Sequence, residues 1–314
     1  MVIVNDEQVM KVLRQYNPWW RVPSAIREES KPQKRVAYYE ALKMLTHKSI
    51  RRFAVLSGMR RVGKTTILYQ IIEHLIDEGV NPKNILYVTF DNPILKLVHA
   101  EHVLSIYEAM YPLEGIRYIF FDEVQYTENW ELWIKVIYDS RKDIRLIATG
   151  SASPVLEKGT ADSGTGRWSV LKIPTMSFYE YCRLLNLDMP ILPDDLRLSE
   201  LADKSLAYLG DLMDQFAPLQ NHFNRYLTIG GFPELVLSDD DAYAQRMLRE
   251  DVVDKVIKRD VLSLFNIRSP LLMEKLFLYL CMNGTEIFNA TTAAKELENT
   301  SVATVESYIK ALEM

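Results

Sequence analysis

The stretch that leaves the fewest options open is GMRRVGKT, residues 58–65. Its glycines, lysine and threonine stand at the G-x-x-x-x-G-K-T spacing of a phosphate-binding loop, which works only between a buried strand and a helix. Both neighbours are legible. Arg52 to Ser57 reads RFAVLS, a short apolar run, and Ile67, Leu68, Ile71, Ile72, Leu75 and Ile76 recur at helical spacing before Gly79. The backbone N–H groups of residues 59–65 then form an anion cradle at a helix N-terminus. Gly58, Arg60, Arg61, Val62, Gly63, Lys64, Thr65 and Thr66 make up the candidate nucleotide-binding set. Lys64 reaches the β- and γ-phosphates of the nucleotide, and the Thr65 hydroxyl ligates Mg²⁺.

Downstream, Ile85 to Phe90 reads as a second buried strand ending in Asp91 and Asn92. A third strand, Tyr118 to Phe121, closes on Asp122 and Glu123, a Walker B pattern. There the aspartate supports the metal together with Thr65, and the glutamate is placed to polarise an attacking water. A fourth strand, in IRLIATGSAS, brings Thr149 and Ser151, hydroxyls able to contact the γ-phosphate or that water. The strand Ile85–Phe90 between the loop strand and the acidic strand, together with Glu123, points to hydrolysis of ATP to ADP rather than phosphoryl transfer to a small molecule.

The series GMRRVGKTT, IFFDEVQYTENW, LIATGSAS, GRWSVLKIPTMSFYEY and YLTIGGFPE, spread over roughly residues 50–240, resembles the AAA+ ATPases. The likeness is to a prokaryotic branch with a winged-helix region behind the ATPase core. The resemblance implies an α/β P-loop fold: a five-stranded parallel sheet flanked by helices, then a helical lid, then a C-terminal winged-helix-like domain. It assigns Lys64, Thr65, Asp122 and Glu123 the Walker roles and the sensor role to Thr149 or Ser151, with Ser151 preferred. Asp91 or Asn92 stands as the polar switch on Glu123, or as a turn residue. Arg167 falls near the arginine-finger position, the alternative being a solvated residue at a strand start. Arg225, then Arg246 and Arg249, are the nearest candidates for a second sensor arginine. ATP and Mg²⁺ are the implied ligands, and a homo-oligomer, a ring of six, the implied assembly.

The expected divisions are an N-terminal arm (1–45), the ATPase core (46–176), the lid (177–265) and an incomplete winged-helix-like domain (266–314). In the arm, Trp19, Trp20 or Arg35 either touch the base or serve as hydrophobic anchors. Trp130, Trp133, Ile134 and Ile137 share one helical face and read as core. Near the C-terminus, helices at Leu271–Met282 and Thr291–Glu298 and a third from Val302, N-capped by Ser301, form a helix-turn-helix. Its Lys295 and Lys310 face Glu286, Glu296, Glu298, Glu306 and Glu313. Phosphate neutralisation dominates DNA affinity, so a protein partner is favoured over DNA. A net charge of −5 and 48% hydrophobic residues fit a soluble globular chain, without a membrane segment. Two isolated cysteines, Cys182 and Cys281, suit a reducing cytoplasm.

Overall fold

Short runs buried on both faces favour a parallel sheet covered by helices, and that is what these sequences build. The structure, a computed structural model, describes residues 4–112, 114–150, 166–193, 196–250, 255, 267–285, 287–297 and 300–312. The arm contributes α1 (Asp6–Tyr16), α2 (Ile26–Glu29) and α3 (Val36–Thr46). Then follow β1 (Phe53–Ser57), α4 (Lys64–Asp77), β2 (Ile85–Thr89), α5 (Ala100–Met110), β3 (Arg117–Asp122), α6 (Trp130–Ser140), β4 (Ile144–Gly150) and β5 (Trp168–Lys172). Every residue of β1 and β2 is buried. The five strands are parallel, in the order β2-β3-β4-β1-β5. Helices α2, α3 and α4 pack together, and α5 packs with α1 and α6. Trp130, Ile134 and Ile137 lie in the core, as their helical spacing predicts.

Strand order corrects one expectation. The strand between the loop strand and the acidic strand is β4, not Ile85–Phe90, which forms the outer edge as β2. Chain order does not set sheet order, because each crossover passes over a helix and the chain returns to fill the gap later.

An exposed sheet edge invites pairing with other chains, and here the arm covers it. Asn17 mimics a neighbouring strand: its side-chain amide donates to the Tyr87 carbonyl at 2.8 Å and its oxygen accepts from the Tyr87 N–H at 2.7 Å. The indoles of Trp19 and Trp20 both donate to the Ile85 carbonyl, at 3.3 and 2.7 Å. Trp20 stacks on Tyr107 with ring centres 5.7 Å apart. The two tryptophans are therefore anchors on β2.

Among the described residues, the elements beyond β5 are all helices. Ser177 and Glu180 form a capping box at the start of Phe178–Leu184. Helices Gln220–Ile229, Pro233–Val236 and Asp241–Met247 are stitched by Arg225, which binds Asp241 at 2.8 Å and the carbonyls of Val236 and Ser238 at 3.1 and 2.6 Å. Gly231 in GGFPE has a steric reason: a Cβ there would stand 2.4 Å from the Met176 carbonyl oxygen. Three helices, Pro270–Met282, Ala290–Glu296 and Val302–Leu312, pack around their own core of Met273, Leu276, Ala293, Leu297, Val305 and Tyr308. Ser301 accepts from the Thr304 N–H at 3.1 Å, the predicted cap.

Candidate functional site

Parallel strands leave a crevice outside their carboxyl ends, and the motif residues gather there. The turn from β1 into α4 runs against the segment after β5. A Cβ at Gly58 would stand 2.3 Å from the Ile173 carbonyl oxygen, so only glycine fits this first loop position. Lys64 opens α4, 4% exposed, its Nζ donating to the loop's own carbonyls at Gly58 (2.8 Å) and Met59 (2.9 Å). Those bonds hold its charge inside the loop.

At the next residue, the Thr65 hydroxyl donates to Asp122 Oδ2 at 2.8 Å. Asp122, 3% exposed at the end of β3, also accepts from the Tyr87 hydroxyl at 2.8 Å on Oδ2 and from Thr149 on Oδ1. Burial, and after it the Asp122 charge, pushes the Tyr87 phenol well above its ordinary range, so the ring stays protonated and donating. A hydroxyl beside a carboxylate is the hard oxygen chemistry of Mg²⁺, which takes one or two protein groups and completes its shell with phosphates and water. Thr65 and Asp122 fit that ion. Among the described residues no group of three His, Cys, Asp or Glu could hold a metal without such help.

Glu123 follows in a left-handed conformation, φ 55° and ψ 48°, unusual for a residue with a side chain. Its N–H donates to the Thr149 hydroxyl at 3.1 Å, and its carboxylate accepts from the Gln125 side-chain amide. Thr149 is fully buried, its hydroxyl donating to Asp122 and accepting from the Glu123 N–H. The polar side chain on the Glu123 carboxylate is that of Gln125, and Asn92 takes the turn role that was its alternative. Asn92 caps the amides of Ile94 and Leu95, at 2.9 and 3.3 Å, while the Asp91 N–H turns to Thr89. Ser151 lies outside the described residues.

Above α4 opens a cavity of about 450 Å³, walled by the arm, the loop and the helices after β5. Lys31, Lys34, Arg35, Arg61, Lys64 and Arg183 face Glu123, Glu180 and Glu234 in its lining. This cationic surplus suits a polyphosphate although the chain as a whole is acidic. Arg35 ties the three walls together. It grips Glu180 with two nitrogens, at 3.0 and 2.8 Å, and donates to the carbonyls of Val62 (2.8 Å) and Pro174 (2.9 Å). Burial works to raise Glu180, but Arg35 and the amides of Val36 and Ser177 override it and hold the carboxyl below its ordinary 4.5. Gln70 fixes the arm over the cavity by donating to the carbonyls of Lys31 (2.6 Å) and Gln33 (2.9 Å).

Of the loop arginines, Arg61 binds Glu234 at 2.6 Å across the cavity, and Arg60 donates to the Tyr126 hydroxyl at 2.7 Å. Arg225 is committed inside the helical segment, and Arg246 pairs with Glu250 at 3.9 Å. The cavity-lining arginine from the helices after β5 is Arg183, which sequence reasoning missed because a helical arginine before Leu184-Leu185 has no motif. Arg167 binds Asp139 at 2.9 Å and lies at the amino end of β5, its carbonyl accepting from the Phe53 N–H. The loop leaves the other end of β1, about 16 Å away at ~3.3 Å per residue. Arg167 therefore stands at the opposite edge of the sheet from its own loop.

Residues 51–182 match the family model described as an AAA domain, and residues 220–314 match a Domain of unknown function (DUF8612). The uncharacterized protein MJ1544 of Methanocaldococcus jannaschii is 27% identical over 256 residues, covering 80% of this chain and 52% of its own length. An uncharacterized protein of Haemophilus influenzae is 25% identical over 265 residues, covering 82% of this chain and 59% of its own. The chain thus spans little more than half the length of these curated relatives. Among solved structures, the Aeropyrum pernix ORC1 protein in complex with DNA aligns over 94% of this chain and 86% of its own at 14% identity, TM-score 0.39. AMPPCP-bound DnaA from Aquifex aeolicus aligns over 90% and 88% at 15% identity, TM-score 0.37. These are distant likenesses of fold. Among the described residues no helix is long and apolar enough to cross a membrane.

Proposed function

We propose that this chain, an AAA+ P-loop protein whose residues 51–182 are its AAA domain, binds ATP with Mg²⁺ and hydrolyses it to drive a change in a macromolecular partner. One observation carries the reading: Lys64 and Thr65 from the loop, and Asp122 and Glu123 from the end of β3, converge at the carboxyl edge of one sheet beside a cationic cavity. Mg²⁺, when bound, would neutralise phosphate charge and hold the β- and γ-phosphates in register. Thr65 and Asp122 would hold that ion, and Lys64 would leave the loop carbonyls for phosphate oxygens. Glu123 would take the proton of the attacking water. The helices after β5, joined to the loop through Arg35–Glu180 and Arg61–Glu234, would carry the nucleotide state outward. A protein partner is favoured by the acidic C-terminal helices.

Replacing Glu123 by Gln tests the base. ATP binding should persist while steady-state phosphate release falls by about 10²–10⁴-fold. Turnover at the wild-type rate in Glu123→Gln would remove Glu123 from the reaction.

A second reading, a nucleotide-gated switch with slow turnover, has its own support. The Gln125 amide holds the Glu123 carboxylate that hydrolysis needs as a base. Purified protein that keeps bound ADP and releases no phosphate over many minutes would favour the switch.

A further inference from the structure

We propose that Tyr87 is a positioning residue for the metal of this site: its hydroxyl locks the Asp122 carboxylate so that Asp122 accepts the Thr65 hydrogen bond and leaves the Thr65 oxygen lone pair free for Mg²⁺. The proposal rests on the Mg·nucleotide reading above.

An aspartate carboxylate turns easily, because its last torsion joins sp³ and sp² carbons and is broad. Holding it takes a donor on each oxygen. Here the two strands flanking β3 supply them, Tyr87 from β2 on Oδ2 and Thr149 from β4 on Oδ1. An ionised carboxylate offers about four acceptor positions. On Oδ2 two are filled, by Tyr87 and Thr65, both at 2.8 Å. Asp122 thereby acts on the ion through the Thr65 hydroxyl, and the acceptor position left over is on Oδ1.

Tyr87 itself is held from behind. It is 2% exposed, and Asn17 binds both its N–H and its carbonyl. The Tyr69 ring lies 5.0 Å and the Tyr16 ring 6.3 Å from its own. The plainer alternative is that a buried phenol has merely found an acceptor. The two differ in what the hydroxyl controls. A structural hydroxyl sets stability, whereas a positioning hydroxyl sets metal dependence.

The test uses the full chain, a fluorescent non-hydrolysable ATP analogue and the Tyr87→Phe variant. In EDTA the variant should bind the analogue as the wild type does, its melting temperature lowered by no more than one lost hydrogen bond explains. When Mg²⁺ is titrated in, the midpoint of the affinity gain should shift to about tenfold higher Mg²⁺ or beyond, the scale of outer-shell changes at metal sites. A midpoint within about twofold of wild type overturns the proposal, since that lies well short of the outer-shell scale. So does a variant that fails to fold, which would make the hydroxyl structural. Wild-type protein that binds no analogue with or without Mg²⁺ is a different failure, removing the nucleotide reading underneath.

Discussion

Glu123 shows how much one residue's backbone can decide. Its left-handed conformation costs about 1–3 kcal/mol in general and persists only where surroundings hold it. Here Thr149 takes its N–H and Gln125 its carboxylate. In the proposed reaction, the same contact that steadies the side chain would keep it from acting as a base, since an acid-base group must be within reach of the proton it moves. Gln125→Ala should therefore raise basal ATP turnover. Releasing about 1 kcal/mol of restraint gives roughly a fivefold increase. A phosphate-release assay on wild type and variant reads this directly, and a fall in turnover would make Gln125 a support for Glu123. At the same scale Gly58 was legible as a loop glycine from spacing, but its reason, the Ile173 carbonyl 2.3 Å from any Cβ, was not.

Among elements, the start of the helix Phe178–Leu184 does two jobs with one side chain. Glu180 closes the capping box with Ser177 and receives Arg35, which also holds the loop carbonyl of Val62. The capping box was readable in the sequence as S-x-x-E, and the ion pair was not. Because Arg35 and the amides depress the folded-state pKa of Glu180, its contribution is present above the ordinary 4.5 and disappears as pH falls through the folded value. Glu180→Gln should thus lower the melting temperature at neutral pH by a few degrees, the effect of about 2 kcal/mol. The gap between variant and wild type should close below pH 4.5. A gap that stays constant across pH would show that the charge of Glu180 contributes nothing.

At the scale of the whole molecule, the amino and carboxyl edges of the sheet face different tasks. The loop, Asp122 and Glu123 occupy one edge, and Arg167 with Asp139 the other. An arginine acting on the reaction from there must act on another copy's nucleotide. If it does, specific activity rises with protein concentration. Arg167→Ala should lower turnover by about 10³–10⁵-fold while leaving nucleotide affinity nearly unchanged. Mixing Arg167→Ala with Glu123→Gln protein should restore part of the activity, because some mixed interfaces hold both intact groups. Mixed oligomers, seen by light scattering, that stay as inactive as either variant would remove Arg167 from the reaction.

The sequence by itself determined the pieces whose logic is local. The loop spacing, the apolar strand runs, the acidic pair at the end of β3, the helical stripes and the cap at Ser301 all rest on neighbours within a turn or a strand. Tertiary structure decided what stands beside what. β4, not β2, separates the loop strand from β3; Tyr87 reaches Asp122 across 35 residues, and Arg35 reaches Glu180 across 145. No periodicity records such pairs. Tyr87 meets Asp122 because the sheet pairs β2 with β3, and Arg35 meets Glu180 because the arm and the helix after β5 both pack over the loop.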